Sequence, residues 1–419
     1  MDYVTHYRCT LCGHTLPKDT KALTCPKCGE KGILDIHYDY ERLRPLLTKA
    51  WFQNNEDRSM WRYLPLMSVK ASEATKRTLN VGFTPLYRSN RLEEALGLKA
   101  LYFKDENVNP TGSLKDRASA VAIMKAIEEG RDTVACSSTG NAASSLAGNA
   151  ARMGLRSVIF VPQRAPKGKL TQIMAYGATL IRVKGDYKAA YALSKKAIDH
   201  YGFYNRNAAI NPHMVEGKKT VALEIAEQLD FKPTDWVVVS VGDGCTIGGV
   251  YNGLKDLYEL NLIDRIPKIL GVQSKGCAPF YDAWKENRKT LEEASEDTLA
   301  DSIAVGIPRN PTKGLRAVVA SKGAFITVSD DAILQAIKTL GSEEGLFCEP
   351  AAAASYAGLD KAMKQSVIHP DETASVILTG NGLKDPDAIK EVMKPPGELE
   401  NDLDSLHEYL NAIGGYTHE

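Results

Sequence analysis

The sequence contains no run approaching the roughly 18 apolar residues that a membrane-spanning helix needs, and its opening residues Met1 to Arg8 lack the apolar core of a secretory signal. Membrane insertion and export are therefore not expected, and a cytoplasmic soluble protein is. An excess of either charge is also missing: 52 Lys and Arg face 52 Asp and Glu. No general field then draws the chain to nucleic acid or to anionic lipid. There is no tandem repeat of solenoid period and no low-complexity linker, which excludes a repeat array. Cysteine is scarce and unevenly placed. Of eight, four fall within the first thirty residues as two C-x-x-C pairs, while Cys136, Cys245, Cys277 and Cys348 stand singly. That distribution reads as one metal site plus buried thiols in a reducing compartment, not as a disulfide framework.

What is present is enough chain for more than one core. At 419 residues the length passes the point at which one hydrophobic core stops growing, so two packed domains and a small extra module are expected. From about Asn80 onward, short β-branched or apolar runs alternate with amphipathic or Ala-rich segments. The runs include Ala100 to Lys104, Thr133 to Ser137, Ser157 to Val161, Trp236 to Val241, Ile269 to Gln273 and Ser375 to Leu378. Such alternation predicts βα units that build parallel sheets covered on both faces. A helix is predicted over Ser113 to Glu129, with Ala118, Val121, Ala122, Met124 and Ala126 at helical spacing and Ser113 as its N-cap. The acidic stretch from Pro395 to Glu419 reads as a short surface helix or a frayed tail.

Tetrahedral zinc takes four soft or borderline ligands at about 2.3 Å, and two C-x-x-C knuckles joined by a short loop supply them at little entropic cost. Cys9, Cys12, Cys25 and Cys28 have that spacing, with Gly13 and Gly29 after each knuckle, where a left-handed residue is useful. No fifth ligand is in reach, so the site reads as closed and structural. DNA binding is the lesser reading, because the module's basic residues are few and unclustered.

The segment Asn109-Pro110-Thr111-Gly112-Ser113-Leu114-Lys115-Asp116-Arg117 places a lysine at the start of a helix just after a strand. Alone, it reads as a capped helix with Lys115 and Arg117 on an exposed face. An amine partly desolvated at the positive end of a helix has a lowered pKa, however, and exchange of a Schiff base with substrate needs that. Two further loops follow strands and open helices. Cys136-Ser137-Ser138-Thr139-Gly140-Asn141-Ala142-Ala143-Ser144 offers hydroxyls, N–H groups and an amide, and Val241-Gly242-Asp243-Gly244-Cys245-Thr246-Ile247-Gly248-Gly249 offers glycines that let the backbone approach a phosphate.

These motifs, followed by Glu349-Pro350-Ala351-Ala352-Ala353 and Leu378-Thr379-Gly380-Asn381-Gly382-Leu383-Lys384-Asp385, resemble threonine synthase, in particular the shorter form with an N-terminal zinc ribbon. The likeness runs from about Gly82 to Asp385 and takes in the ribbon. It implies an α/β protein of pyridoxal-phosphate (PLP) fold type II, with two doubly wound α/β domains. The expected division is a zinc ribbon over 1–35, a large PLP-binding domain over 36–126 and 201–419, and a small α/β domain over 127–200. The resemblance further implies that Lys115 holds pyridoxal 5′-phosphate as a Schiff base and moves protons at the substrate's α-carbon. Asn141 would hydrogen-bond the cofactor's phenolic oxygen, and Ser138, Thr139, Gly140, Asn141 and Ala142 would surround the substrate carboxylate. Gly242, Asp243, Gly244, Cys245 and Thr246 would wrap the cofactor phosphate, and Thr379 would face the pyridine nitrogen. A hydroxyl there leaves that nitrogen largely unprotonated, which favours elimination and replacement over transamination. A homodimer is implied as well, with a second subunit in thiolase-type members.

The sequence departs from threonine synthase where that family grips a side-chain phosphate. Ala142, Ala208, Ala209 and Met214 stand where polar or cationic residues are expected, and Asp243 replaces an asparagine. Charge-assisted hydrogen bonds are worth roughly 1.5 to 3 kcal/mol each, so losing several predicts an amino-acid substrate without a phosphate. Substitute charge from Arg164, Lys167 or His213 is the other reading. The expected reaction is α-proton abstraction followed by β or γ elimination or replacement. The alternatives are threonine synthase acting on O-phosphohomoserine, a serine or threonine ammonia-lyase, a β-replacing synthase, a thiolase-type subunit acylating an amino-acid carbanion, and a non-catalytic zinc-ribbon regulatory protein. A nicotinamide-dependent enzyme would carry G-x-G-x-x-G followed by an acidic residue, which is lacking. Cys136, Cys245 and Cys348 read as packing thiols, and Tyr187 and Tyr191 as packing partners.

Overall fold

The computed structural model describes residues 3–413 except 90, 165–166, 208–209, 391–392 and 394–395. The chain opens with β1 (Val4–Cys9), β2 (Thr15–Pro17) and β3 (Leu34–Tyr38), an antiparallel sheet ordered β2-β1-β3. There follow β4 (Leu86–Ser89), β5 (Ala100–Asp105), β6 (Thr133–Ser137), β7 (Arg156–Pro162), β8 (Thr179–Val183) and β9 (Tyr204–Asn205). The last are β10 (Trp236–Ser240), β11 (Lys268–Ser274), β12 (Ala324–Val328) and β13 (Thr373–Leu378). One sheet has the order β12-β11-β10-β13-β5-β4, parallel except for β4, and a separate parallel sheet has the order β8-β7-β6-β9. The β-branched runs sit where burial on both faces demands them: Val237, Val238 and Val239 of β10 are fully buried, and Val238 pairs with Leu270 on one side and Val376 on the other.

Eight helices matter below: α1 (Lys115–Glu128), α2 (Asn141–Met153), α3 (Tyr187–Tyr201), α4 (Pro212–Gln228), α5 (Cys245–Glu259), α6 (Pro311–Ala320), α7 (Pro350–Lys364) and α8 (Leu403–Ile413). α1 begins two residues later than predicted, and Ser113 is not its N-cap. That position is Leu114, and the Ser113 hydroxyl accepts the Lys115 N–H at 3.4 Å. The reason is tertiary. Ser113 bridges to Gly380 and the Leu114 N–H donates to the Thr379 carbonyl at 2.9 Å, which ties the residues ahead of the lysine to the segment after β13. In the acidic tail, α8 is a short helix with no buried residue.

The N-terminal sheet docks on the large core through buried polar contacts. The Tyr38 hydroxyl donates to Glu216 of α4, and the Tyr40 hydroxyl donates to Asp256 of α5 at 2.6 Å. Asp35 pairs with Arg316 of α6 at 2.6 Å and with Lys313 at 3.2 Å. The cysteine module is thereby fastened to three helices, one of which, α5, is opened by the glycine-rich loop.

Candidate active site

A cavity of about 860 Å³ lies where β6, β7, β10 and β13 end, at the carboxyl edges of both parallel sheets. The residues expected to hold the cofactor and the substrate carboxylate meet there: Lys115, Ser138, Thr139, Gly140, Asn141, Ala142, Gly242, Asp243, Gly244, Cys245, Thr246 and Thr379 line it. Lys115 is half-buried, and its amine makes no hydrogen bond or ion pair among the described residues. Burial lowers its pKa, opposed by the nearby Glu349 carboxylate.

The two residues after Lys115 are structural, contrary to the exposed face that the motif read alone predicts. The Asp116 carboxylate accepts from the Thr111 N–H and hydroxyl at 2.8 Å each and from the Asn149 amide at 2.9 Å, and burial pushes its pKa up to about 6. Arg117 is fully buried and forks between Glu106, at 2.6 Å from both Nε and Nη2, and Glu224, at 2.5 Å from Nη1 and 2.7 Å from Nη2. Lys104 reaches the same Glu224 at 2.7 Å. This network ties the start of α1 to α4 and to the end of β5.

Two helix N-termini aim free N–H groups into the cavity. Among the described residues none of the N–H groups of Gly242 to Thr246 meets a protein acceptor, which makes the loop before α5 an anion cradle. At α2 the Ser138 N–H is already taken by the Phe160 carbonyl at 3.2 Å, while those of Thr139, Asn141 and Ala142 are free. The Asn141 amide donates to both oxygens of Glu349 at 2.9 Å, and burial raises the pKa of that carboxyl. A Cβ on Gly380 would lie 2.5 Å from Glu349 Oε1, so the Thr379-Gly380 turn accepts this buried acid only as glycine.

The side-chain end of the cavity differs from the sequence reading. Met214 is fully buried, belongs to the same hydrophobic core as Trp61 and Tyr204, and does not line the cavity. His213, considered as a substitute cation, is also buried away from it: its Nδ1 sits 2.7 Å from the Ser68 hydroxyl, and burial depresses its pKa strongly. Arg164 is exposed, whereas Ala208, Ala209 and the side chain of Lys167 lie outside the described residues. Besides Lys115, the cations that line the cavity are Lys188, which pairs with Glu293 at 3.9 Å, and Arg206, Lys218 and Arg309, none of which the motifs singled out. The Arg309 guanidinium lies 3.9 Å from the Tyr191 ring centre, and the Arg309 backbone N–H donates to Asp243 Oδ1 at 2.9 Å. Tyr187 and Tyr191 stack on each other as expected, and also line the cavity wall. The only trace of Lys218 in the sequence is a lysine pair inside an otherwise buried helix.

Residues 77–380 match the family described as pyridoxal-phosphate dependent enzyme. The chain belongs to that family. It is 39% identical to the threonine synthase of Methanocaldococcus jannaschii over 97% of this chain and 99% of that protein. It is 38% identical to the threonine synthase of Methanosarcina acetivorans over 97% and 98%. Among solved structures, maize serine racemase superposes with a TM-score of 0.63 at 24% identity, covering 71% of this chain and 88% of that one. The processed threonine deaminase isoform 2 of Solanum lycopersicum gives 0.63 at 23%, covering 86% and 95%. At that identity the likeness speaks for the fold, which is PLP fold type II. The chain is a PLP-dependent, threonine synthase-like lyase carrying a small N-terminal four-cysteine module whose sulfurs lie within 4.8 Å of one another.

Proposed function

We propose that the protein abstracts the α-proton of an amino acid and then eliminates or replaces a β or γ substituent that carries no phosphate. The observation that carries the reading is Lys115, an unpaired amine of lowered pKa that lines a cavity facing two sets of free helix N-terminal amides. Pyridoxal phosphate supplies an electron sink that acidifies the substrate's α-carbon. The residues present fit it: Gly242 to Thr246 would hold its phosphate, Asn141 its phenolic oxygen and Thr379 its ring nitrogen. The Thr139, Asn141 and Ala142 N–H groups, at the positive end of α2, bind the substrate carboxylate and orient its α-carbon toward Lys115. Lys115 takes the α-proton on Nζ and delivers it to the leaving group on elimination, or back to the α-carbon once a replacing nucleophile has added and given up its own proton. Its lowered pKa keeps a fraction of the amine neutral and able to do so.

The side-chain subsite supports an unphosphorylated substrate, because Ala142, which lines it, brings no hydroxyl. O-Phosphohomoserine is the second reading, favoured by Arg309 and Arg206 on the cavity wall and by the names of the relatives. Incubation of PLP-loaded protein with O-phospho-L-homoserine is expected to release no phosphate and no threonine. L-Serine, L-threonine or their unphosphorylated derivatives are expected to yield 2-oxo acid or a replacement product. Stoichiometric phosphate and threonine would instead make the second reading correct.

Cys9, Cys12, Cys25 and Cys28 would hold one structural zinc per chain. Cys25→Ser is expected to abolish zinc retention, measured by elemental analysis, and to lower the melting temperature, since the module is docked on α4, α5 and α6. Full zinc content in that variant would refute the ligand set.

A further inference from the structure

The floor of the cavity carries more positive charge than the motifs account for. Lys218 is 3% exposed, lines the cavity, and makes no hydrogen bond or ion pair among the described residues. Arg206, 1% exposed, is held by the Ser119 hydroxyl at 3.1 Å and the Lys115 carbonyl at 3.4 Å, also without a carboxylate partner. An ammonium buried without an anion costs several kcal/mol. A fold that keeps one at the wall of a cavity is complete only when an anion enters.

Geometry selects which anion. Helices α4 and α5 run side by side in the same direction. Val215 packs on Cys245, and one turn further on, a Cβ at Gly249 would lie 3.1 Å from the Cβ of Lys218. Helical side chains lean toward the N-terminus of their own helix, so the Lys218 stem runs back toward the level of Val215, which is the first turn of α5. There the free N–H groups of Gly242 to Thr246 converge. The same loop carries the Asp243 carboxylate, which would repel an incoming dianion. We infer that Lys218 is a direct ligand of the cofactor's phosphate, the cation that lets a carboxylate-bearing glycine loop hold a phosphate monoester. Arg206, already tied to Ser119, contributes field without contact. The inference rests on the family's cofactor and not on any choice of substrate.

The test is titration of cofactor-free protein with PLP and, separately, with pyridoxal, which lacks the phosphate, read by protein fluorescence. Lys218→Met is expected to weaken PLP binding by roughly ten- to a hundredfold, the worth of one charge-assisted hydrogen bond, and to leave pyridoxal within about twofold. Lys218→Arg is expected to restore most of the loss for PLP. Cofactor-free Lys218→Met is expected to melt no lower than wild type, because it relieves an unpaired buried charge; a structural lysine would give the reverse. Equal weakening of both ligands, unchanged PLP binding with a raised KM for substrate, or no rescue by arginine would overturn the inference. Failure of wild type to bind PLP would overturn the cofactor assignment with it, whereas a mistaken substrate would leave every one of these titrations intact.

Discussion

Lys115→Ala is expected to reduce turnover by roughly 10³-fold, within the range that a positioned acid–base group contributes, and to remove the visible absorbance of a lysine-linked cofactor. The expectation follows from the position of Lys115 at the cavity and from the lack of any second amine placed to replace it. Arg206 and Arg309 cannot deprotonate, Lys188 is largely exposed and lies 3.9 Å from Glu293, and Lys218 is the residue inferred above to hold the phosphate. Lys115→Arg is expected to be equally inactive for the same reason. Folding should be spared, because the Lys115 amine has no protein partner to lose. Turnover within about tenfold of wild type, on the scale of that contribution, would remove Lys115 from the chemistry. With the substrate unidentified, isotope exchange of the α-proton of bound amino acids into solvent serves as the assay.

Arg117→Met is expected to destabilise the protein by about 3 to 5 kcal/mol, the cost of removing one partner from a buried ion network. It would leave Glu106 and Glu224 facing each other with only Lys104 beside them. The pH dependence gives the sharper signature. In the native protein burial alone would raise the pKa of Glu224, but Arg117 and Lys104 overrule it and hold the carboxyl down at about 2. A folded-state pKa below the unfolded value of 4.5 means stability that is present above pH 4.5 and lost as pH falls toward 2. Without Arg117 burial dominates, the folded pKa moves above 4.5, and stability instead declines as pH rises past that value. Melting temperatures measured from pH 4 to pH 8 are therefore expected to rise then level off for wild type and to fall for Arg117→Met. Parallel curves would show that the network does not set the ionisation of Glu224. Arg117→Lys should be intermediate, since an ammonium cannot fork between two carboxylates.

The motif around Lys115 brings that lysine to the cavity wall, and says little about what its neighbours do. Asn-Pro-Thr-Gly-Ser-x-Lys-Asp-Arg is legible as a unit because its members are close in sequence and serve one turn. Nothing in that spacing says that Arg117 turns inward to Glu224, more than a hundred positions away. The predicted N-cap Ser113 fails for a similar reason: a hydroxyl two residues before a lysine looks like a cap, but the pairing with Thr379 and Gly380 sets where the helix begins. Met214 shows the converse. Its change to an apolar residue reads as a lost contact, and in the structure it is a fully buried core side chain.

By itself the sequence determined what is local. Four cysteines at knuckle spacing, β-branched runs that need burial on both faces, and two glycine- or serine-rich loops that open helices each follow from chemistry within a few residues. These fix the cysteine module and the parallel α/β architecture, while the twelve residues that line the cavity were implied by the resemblance of five ordered motifs to a known family. Only the tertiary structure decided which charges meet across elements. The Asn141 amide against Glu349, Arg309 over Tyr191, and Lys218 against Gly249 of α5 are contacts between segments far apart in the chain. Their partners are set by how helices stack on the sheets. A buried cation also reads in sequence like any solvated lysine or arginine until the packing around it removes the water.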